Sequence, residues 1–169
     1  GGVDNVCVGH MTMVNATGDY NTVVGSVAGS SASNGTATQF SGDKNTLVGY
    51  AAGYDLTDGP GNTLVGFAAG ANMTTGDYNV AIGFEAADGL LGAADDNVAI
   101  GRSALGGALN GALSNNIAIG KNTLLSTDTA ANINLAIGAD AGTDITSGSQ
   151  NVLIGHEAGK ALADDSENT

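Results

Sequence analysis

The chain is poor in most of what a compact enzyme uses. Its 169 residues contain one Cys, one Pro, no Trp, three Phe and four Tyr. Lys and Arg together number only four, against 17 Asp and Glu. The lone Cys7 excludes an internal disulfide framework. So few rings argue against an ordinary globule, whose core takes much of its apolar area from aromatic side chains. The formal charge of −13, with Lys44, Arg102, Lys121 and Lys160 as the only fixed cations, disfavours nucleic acid, which needs Lys and Arg to displace phosphate counterions. Attachment to an anionic membrane surface is disfavoured for the same reason. No apolar run approaches the ~18 residues of a membrane span, so membrane insertion is not expected.

What the chain has in excess is glycine, 28 residues, and a repeat. Asn45-Thr46-Leu47-Val48-Gly49 returns as Asn62-Thr63-Leu64-Val65-Gly66. Looser copies begin at Asn5, Asn21, Asn79, Asn97, Asn116, Asn134 and Asn151, with a fragment at Asn168. Most starts are 17 or 18 residues apart; the exceptions are 16, 19 and a single 24. With Asn as position zero, +3 is Val or Ile in every copy and +4 is Gly: Gly9, Gly25, Gly49, Gly66, Gly83, Gly101, Gly120, Gly138 and Gly155. Position +7 is Ala except at Thr12 and Thr123, and +8 is Gly in five copies. A period that covers the whole chain is the signature of a stacked-repeat architecture. Gly does not recur every third residue, so collagen is excluded.

In Asn79-Val80-Ala81-Ile82-Gly83 the alternation has the period of a short strand. The expectation is that +1 and +3 face into the coil. Position +2, which drifts from Val23, Leu47 and Leu64 to Ala81, Ala99, Ala118 and Ala136, then faces a second chain. Each coil is expected to hold two short strands and two turns, with Gly at a corner and Asn in a ladder whose amide bonds to neighbouring coils. Strands ~4.8 Å apart put nine coils at ~40–45 Å. The 24-residue gap is read as a loop, Ser30–Phe40, leaving an otherwise regular stack.

The phrases "NVAIGFEA", "NVAIGRSA", "NIAIGKNT", "NLAIGADA" and "NVLIGHEA" resemble the head repeats of YadA-like trimeric autotransporter adhesins and, equally, repeats of bacteriophage tail fibres and tail spikes. The resemblance spans essentially every coil. It implies an all-β, left-handed β-roll in a parallel homotrimer. It also implies a non-catalytic structural or adhesive segment of an extracellular appendage, on a virion or a bacterial surface, whose partners are its own copies and a host receptor. The repeats here are longer than the usual adhesin repeat, and stalk heptads, an anchor and a terminal chaperone domain are absent from this stretch. The chain opens inside a repeat and ends one residue past another Asn, which reads as a segment of a longer fibre. Head-to-tail stacking into a filament is the alternative.

Other chemistries fit less well. His10 and His156 share phase +5 but stand eight coils apart, each read as a solvated outer residue without the partner that catalysis needs. Cys7 lies at +2 and is read as packing. "IGRSAL" and "IGADAG" match one hexad of a left-handed β-helix acyltransferase, but the remaining hexads of each coil do not. Thr22, Thr46 and Thr63 align at +1, too short a ladder for an ice-binding face. Asp19, Asp43, Asp77 and Asp95 recur two positions before Asn, which favours turn chemistry; weak calcium binding is left open, and no cofactor is expected. Three sequons, at Asn15, Asn34 and Asn72, matter only in a eukaryotic secretory setting. Tyr50, Phe67 and Phe84 occupy +5 in three successive coils. They form either an outward contact strip or a buried one between chains or under the loop.

Overall fold

The computed structural model describes residues 2–30, 39–107, 113–126, 131–164 and 166–168. Among them there is no helix. Nine three-residue strands form one parallel sheet in strict sequence order: β1 Val6–Val8, β2 Thr22–Val24, β3 Thr46–Val48, β4 Thr63–Val65, β5 Val80–Ile82, β6 Val98–Ile100, β7 Ile117–Ile119, β8 Leu135–Ile137 and β9 Val152–Ile154. Every pair is in register by repeat position; Thr46, Leu47 and Val48 lie opposite Thr63, Leu64 and Val65. The chain is a β-solenoid, one repeat per coil.

The strands face the other way from the expectation. Position +2 is the inward one: Val23, Leu47, Leu64, Ala81, Ala99, Ala118 and Ala136 are fully buried, and Leu153 is nearly so. None of the +1 and +3 residues is buried. The size drift at +2 is therefore a matter for the chain's own core. Across the core, +8 compensates for it. Where +2 is Leu47, Leu64 or Leu153, +8 is Gly53, Gly70 or Gly159; where +2 is Ala81, Ala99 or Ala118, +8 is Ala87, Leu105 or Leu124, all buried. A Cβ on Gly70 would lie 2.9 Å from Cδ1 of Leu64, so a large residue at +2 needs glycine opposite. In Gly142's coil, which has Ala136 at +2, the space is filled from neighbouring coils by Leu124 and Leu153. Native cores hold close to crystal density, and here that density is met by trading volume between two positions.

Each coil has one strand, not the two expected. Its opposite side is a run of turns, because +6 and +8 both take left-handed backbone conformations, as at Ala68 (φ +52°) and Gly70 (φ +59°). The coils are still joined there. The +6 N–H donates to +5 of the preceding coil, as from Ala68 to Tyr50 at 2.9 Å, and the +8 N–H donates to +7 of the next, as from Gly70 to Ala86 at 2.9 Å. Position +7 points inward, as expected: Ala28, Ala52, Ala69, Ala86, Ala104 and Ala141 are fully buried.

The corner glycine has a steric reason. At Gly66 φ is +144°, and a Cβ would collide with the carbonyl oxygen of Gly83 in the next coil. One coil's corner packs directly on another's, and only hydrogen fits between them.

Most of the segment read as the inserted loop, residues 31–38, lies outside the described residues. Its two ends belong to the stack: Ser30 and Phe40 are fully buried. The Phe40 carbonyl accepts from the Thr17 N–H at 2.8 Å, and its ring lies 3.5 Å from the position of a Gly29 Cβ. Phe40 is a core residue, not part of a loop.

Candidate contact surfaces

Two side-chain ladders run along the stack and fix its spacing. The first is the Asn ladder. Each Asn Oδ1 accepts from the backbone N–H of the next coil's Asn, from Asn5–Asn21 at 2.8 Å to Asn151–Asn168 at 3.0 Å. Each Asn Nδ2 from Asn21 to Asn97 donates to a backbone carbonyl of the next coil's approach, as from Asn62 to Gly76 at 2.8 Å. Asn45, Asn62, Asn79, Asn97, Asn116, Asn134 and Asn151 are all buried, and an amide satisfied on both its oxygen and its nitrogen can be buried without penalty. No ligand atom can reach this row.

The second ladder lies at −2 and runs in the opposite sense: a backbone N–H donates to the side-chain oxygen of the following coil. It links Asp19 to Asp43 at 2.8 Å, Asp77 to Asp95 at 2.9 Å and Ser114 to Asn132 at 2.7 Å. The recurrent aspartates are thus turn acceptors, and Ser or Asn serves equally. Pro60, with neither an N–H nor a side-chain oxygen, interrupts it. Burial, together with the charges of Asp95, Asp58 and Asp96, raises the Asp77 pKa. Among the described residues no group of three or more His, Cys, Asp or Glu is placed to hold a metal ion.

The outer face of the sheet is the first surface that can meet a partner. It consists of the +1 and +3 side chains of β1–β9: Val, Ile and Leu throughout, except for Thr22, Thr46 and Thr63. Most of these side chains are half-buried, and Ile82, in the middle of the sheet, is 40% exposed. No charged residue stands on this face, in a chain of formal charge −13. Nine strands at ~4.8 Å, each three residues long at ~3.3 Å, make it ~400 Å² in plan. That is the scale of the largest apolar patch on a typical soluble monomer, a patch that is often functional.

The second surface is the +5 row, just beyond the corner glycine. Tyr50, Phe67 and Phe84 are exposed, and their rings stack at centroid separations of 5.1 and 5.0 Å, with interplanar angles of 16° and 7°. Within the single chain the strip points away from the core. Arg102 and Lys121, also exposed, continue the same row in the next two coils. His10 and His156 lie at its ends, both exposed.

Elsewhere the titratable groups are dispersed. Asp88 is the most perturbed: burial, then the nearby Glu85 and Asp55 carboxylates, push it up to about 6, while Asn72 donates to its Oδ1 at 3.0 Å. Glu157 and Lys160 pair at 2.8 Å on the surface. Cys7 takes the +2 position opposite Val23 but is exposed, its thiol 3.2 Å from the Met13 sulfur. Asn15 and Asn72 of the sequons are exposed; Asn34 lies outside the described residues. No nucleophile–base–orienter set is assembled among the described residues. Comparison with family models, with curated proteins and with solved structures finds no match.

The inward +2 face and the −2 ladder are what sequence reasoning missed. A usable signal existed for each: the opposed sizes at +2 and +8, and the short oxygen-bearing side chains at −2 in all copies but those with Val3 and Pro60.

Proposed function

We propose that this chain is a rigid, non-catalytic segment of an extracellular fibrous appendage, assembled as a parallel homotrimer and serving attachment to a host or surface. The observation that carries the reading is the outer sheet face: a strip of aliphatic side chains, free of charge, on a molecule that is otherwise strongly acidic. The net negative charge of such a chain opposes association in general, and that strip carries none of it. Burying a half-exposed Val or Ile there contributes on the order of 1 kcal/mol, and the strip offers many. Its nine-strand length suits side-by-side association of whole rolls, which is also what the resemblance to adhesin heads and tail fibres implies.

The rest of the molecule agrees with a mechanical role. Backbone bonds and two side-chain ladders tie every coil to the next, a construction suited to transmitting force and not to opening around a substrate. The test is to place charge on the strip. Val65→Glu with Ile100→Glu leaves the core and both ladders untouched. The wild-type chain is expected to be trimeric and the double variant monomeric, with unchanged circular dichroism. A variant that assembles like the wild type would overturn the reading.

A further inference from the structure

The +5 row carries an inference that deepens the adhesive part of that proposal and rests on it only for context. Over nine coils the row reads His10, Ser26, Tyr50, Phe67, Phe84, Arg102, Lys121, Ala139 and His156. It holds no acid, although the chain has 17. Two of the four fixed cations lie in it, in adjacent coils. Neither is in the one ion pair found among the described residues, Glu157–Lys160, though the charge of Lys121 helps to lower the Asp140 pKa. The nearest acids in sequence, Glu85, Asp140 and Glu157, stand one position on, at +6. Asp140 is tied to Asn122 at 2.9 Å.

The stacking geometry decides what the strip presents. The rings of Tyr50, Phe67 and Phe84 lie face to face along the stack, so Phe67 turns its edges, not its faces, to solvent. An aromatic edge carries partial positive charge. From Tyr50 to Lys121 the row thus lines up three stacked rings, a guanidinium and an ammonium over ~19 Å at one coil per ~4.8 Å, with no carboxylate in the row itself.

We infer that this row is a docking track for a linear acidic polysaccharide. Hydroxyl and ring oxygens meet the ring edges, and carboxylate or sulfate groups meet Arg102 and Lys121. Nucleic acid is too densely charged for a surface with two cations on a −13 chain. An extended peptide relies on a sheet edge, a groove or an arginine cluster, and the row supplies none of these.

The test uses the intact chain on an array of linear oligosaccharides bearing uronate, sialate or sulfate groups, with neutral maltoheptaose and poly-glutamate alongside. Retention of at least one acidic oligosaccharide is expected. Phe67→Ala should weaken it by about tenfold or more, and Arg102→Gln with Lys121→Gln by as much. Lys44→Gln with Lys160→Gln, which changes the net charge equally but off the row, should leave affinity unchanged. Retention of no acidic oligosaccharide, equal losses in the off-row variant, or poly-glutamate binding as tightly as any glycan would each overturn the inference. Mass measured on the same samples reports separately on assembly, so failure of the track and failure of the trimer are distinguishable.

Discussion

Two stretches of the same solenoid solve one packing problem in opposite ways. In the coils starting at Asn45 and Asn62 the strand supplies the bulk, Leu47 and Leu64, and the turn gives way with Gly53 and Gly70. In the coils starting at Asn97 and Asn116 the strand has Ala99 and Ala118, and the bulk comes from Leu105 and Leu124 in the turn. The second solution has a conformational cost. Leu105 and Leu124 sit at φ +50° and +51°, where a side chain pays about 1–2 kcal/mol that glycine does not. A coil is thus defined by the volume it encloses, and not by which side of the coil provides it.

The comparison breaks most visibly if one partner of a pair is changed. Leu124→Gly should destabilise the chain by about 3–5 kcal/mol through the cavity it leaves, and Ala118→Leu by about 1–3 kcal/mol through overpacking. Combined, they rebuild the arrangement of the Asn62 coil, and chemical denaturation should find most of the loss restored. Simple additivity of the two losses would show that the positions do not share space.

Next come the corners, which both stretches share. Gly66→Ala forces a Cβ onto the Gly83 carbonyl, whereas at Gly92, with φ +63°, a Cβ would meet nothing within 4 Å. Both positions have positive φ, so each substitution costs something. The Gly66 variant should lose about 2 kcal/mol more than the Gly92 variant in thermal unfolding, since only it also requires the coils to separate.

Asp88 lies between the two stretches, and its effect is smaller. Its carboxyl is raised to about 6 by burial and by Glu85 and Asp55, so the folded chain holds that proton more tightly than the unfolded chain does. Stability contributed by the protonated form is complete below the ordinary Asp range and is lost as pH rises through about 6. Because the group is only half buried, the change should be on the order of 1 kcal/mol. Asp88→Asn should flatten the stability profile between pH 4 and 6 in denaturant titrations; an unchanged slope would assign it to other groups.

The smallest expected effect is a gain. Ile133 is exposed at φ +60°, a conformation poorly suited to a β-branched residue. Asn occupies the matching position at Asn115 with φ +61°. Ile133→Asn should add about 0.5–1 kcal/mol, seen as a higher unfolding midpoint.

Much of this was legible in the sequence because the repeat displays each constraint nine times. Gly at +4, small residues at +7 and Asn at zero are dictated by contacts between equivalent positions in adjacent coils, so they recur unchanged. The facing of the strand was not legible from a single coil. A three-residue strand such as Val80-Ala81-Ile82 is apolar on both faces, and alternation alone does not say which is inside. Only reading +2 against +8 down the stack settles it. The second strand expected in each coil failed because residues such as Ala68 and Glu85 carry no sequence mark of the left-handed conformation they adopt. The +5 strip was visible as three aligned rings, but its outward placement depended on knowing where the coil turns.

In the proposed assembly, copies of this chain join along the charge-free sheet face. The most direct measurement is the mass of the wild-type chain in dilute solution by light scattering, over a range of concentrations. A constant mass of three chains is expected. A single-chain mass would contradict it and leave the aliphatic face without its proposed partner, and open-ended polymers growing with concentration would contradict it in favour of a filament subunit.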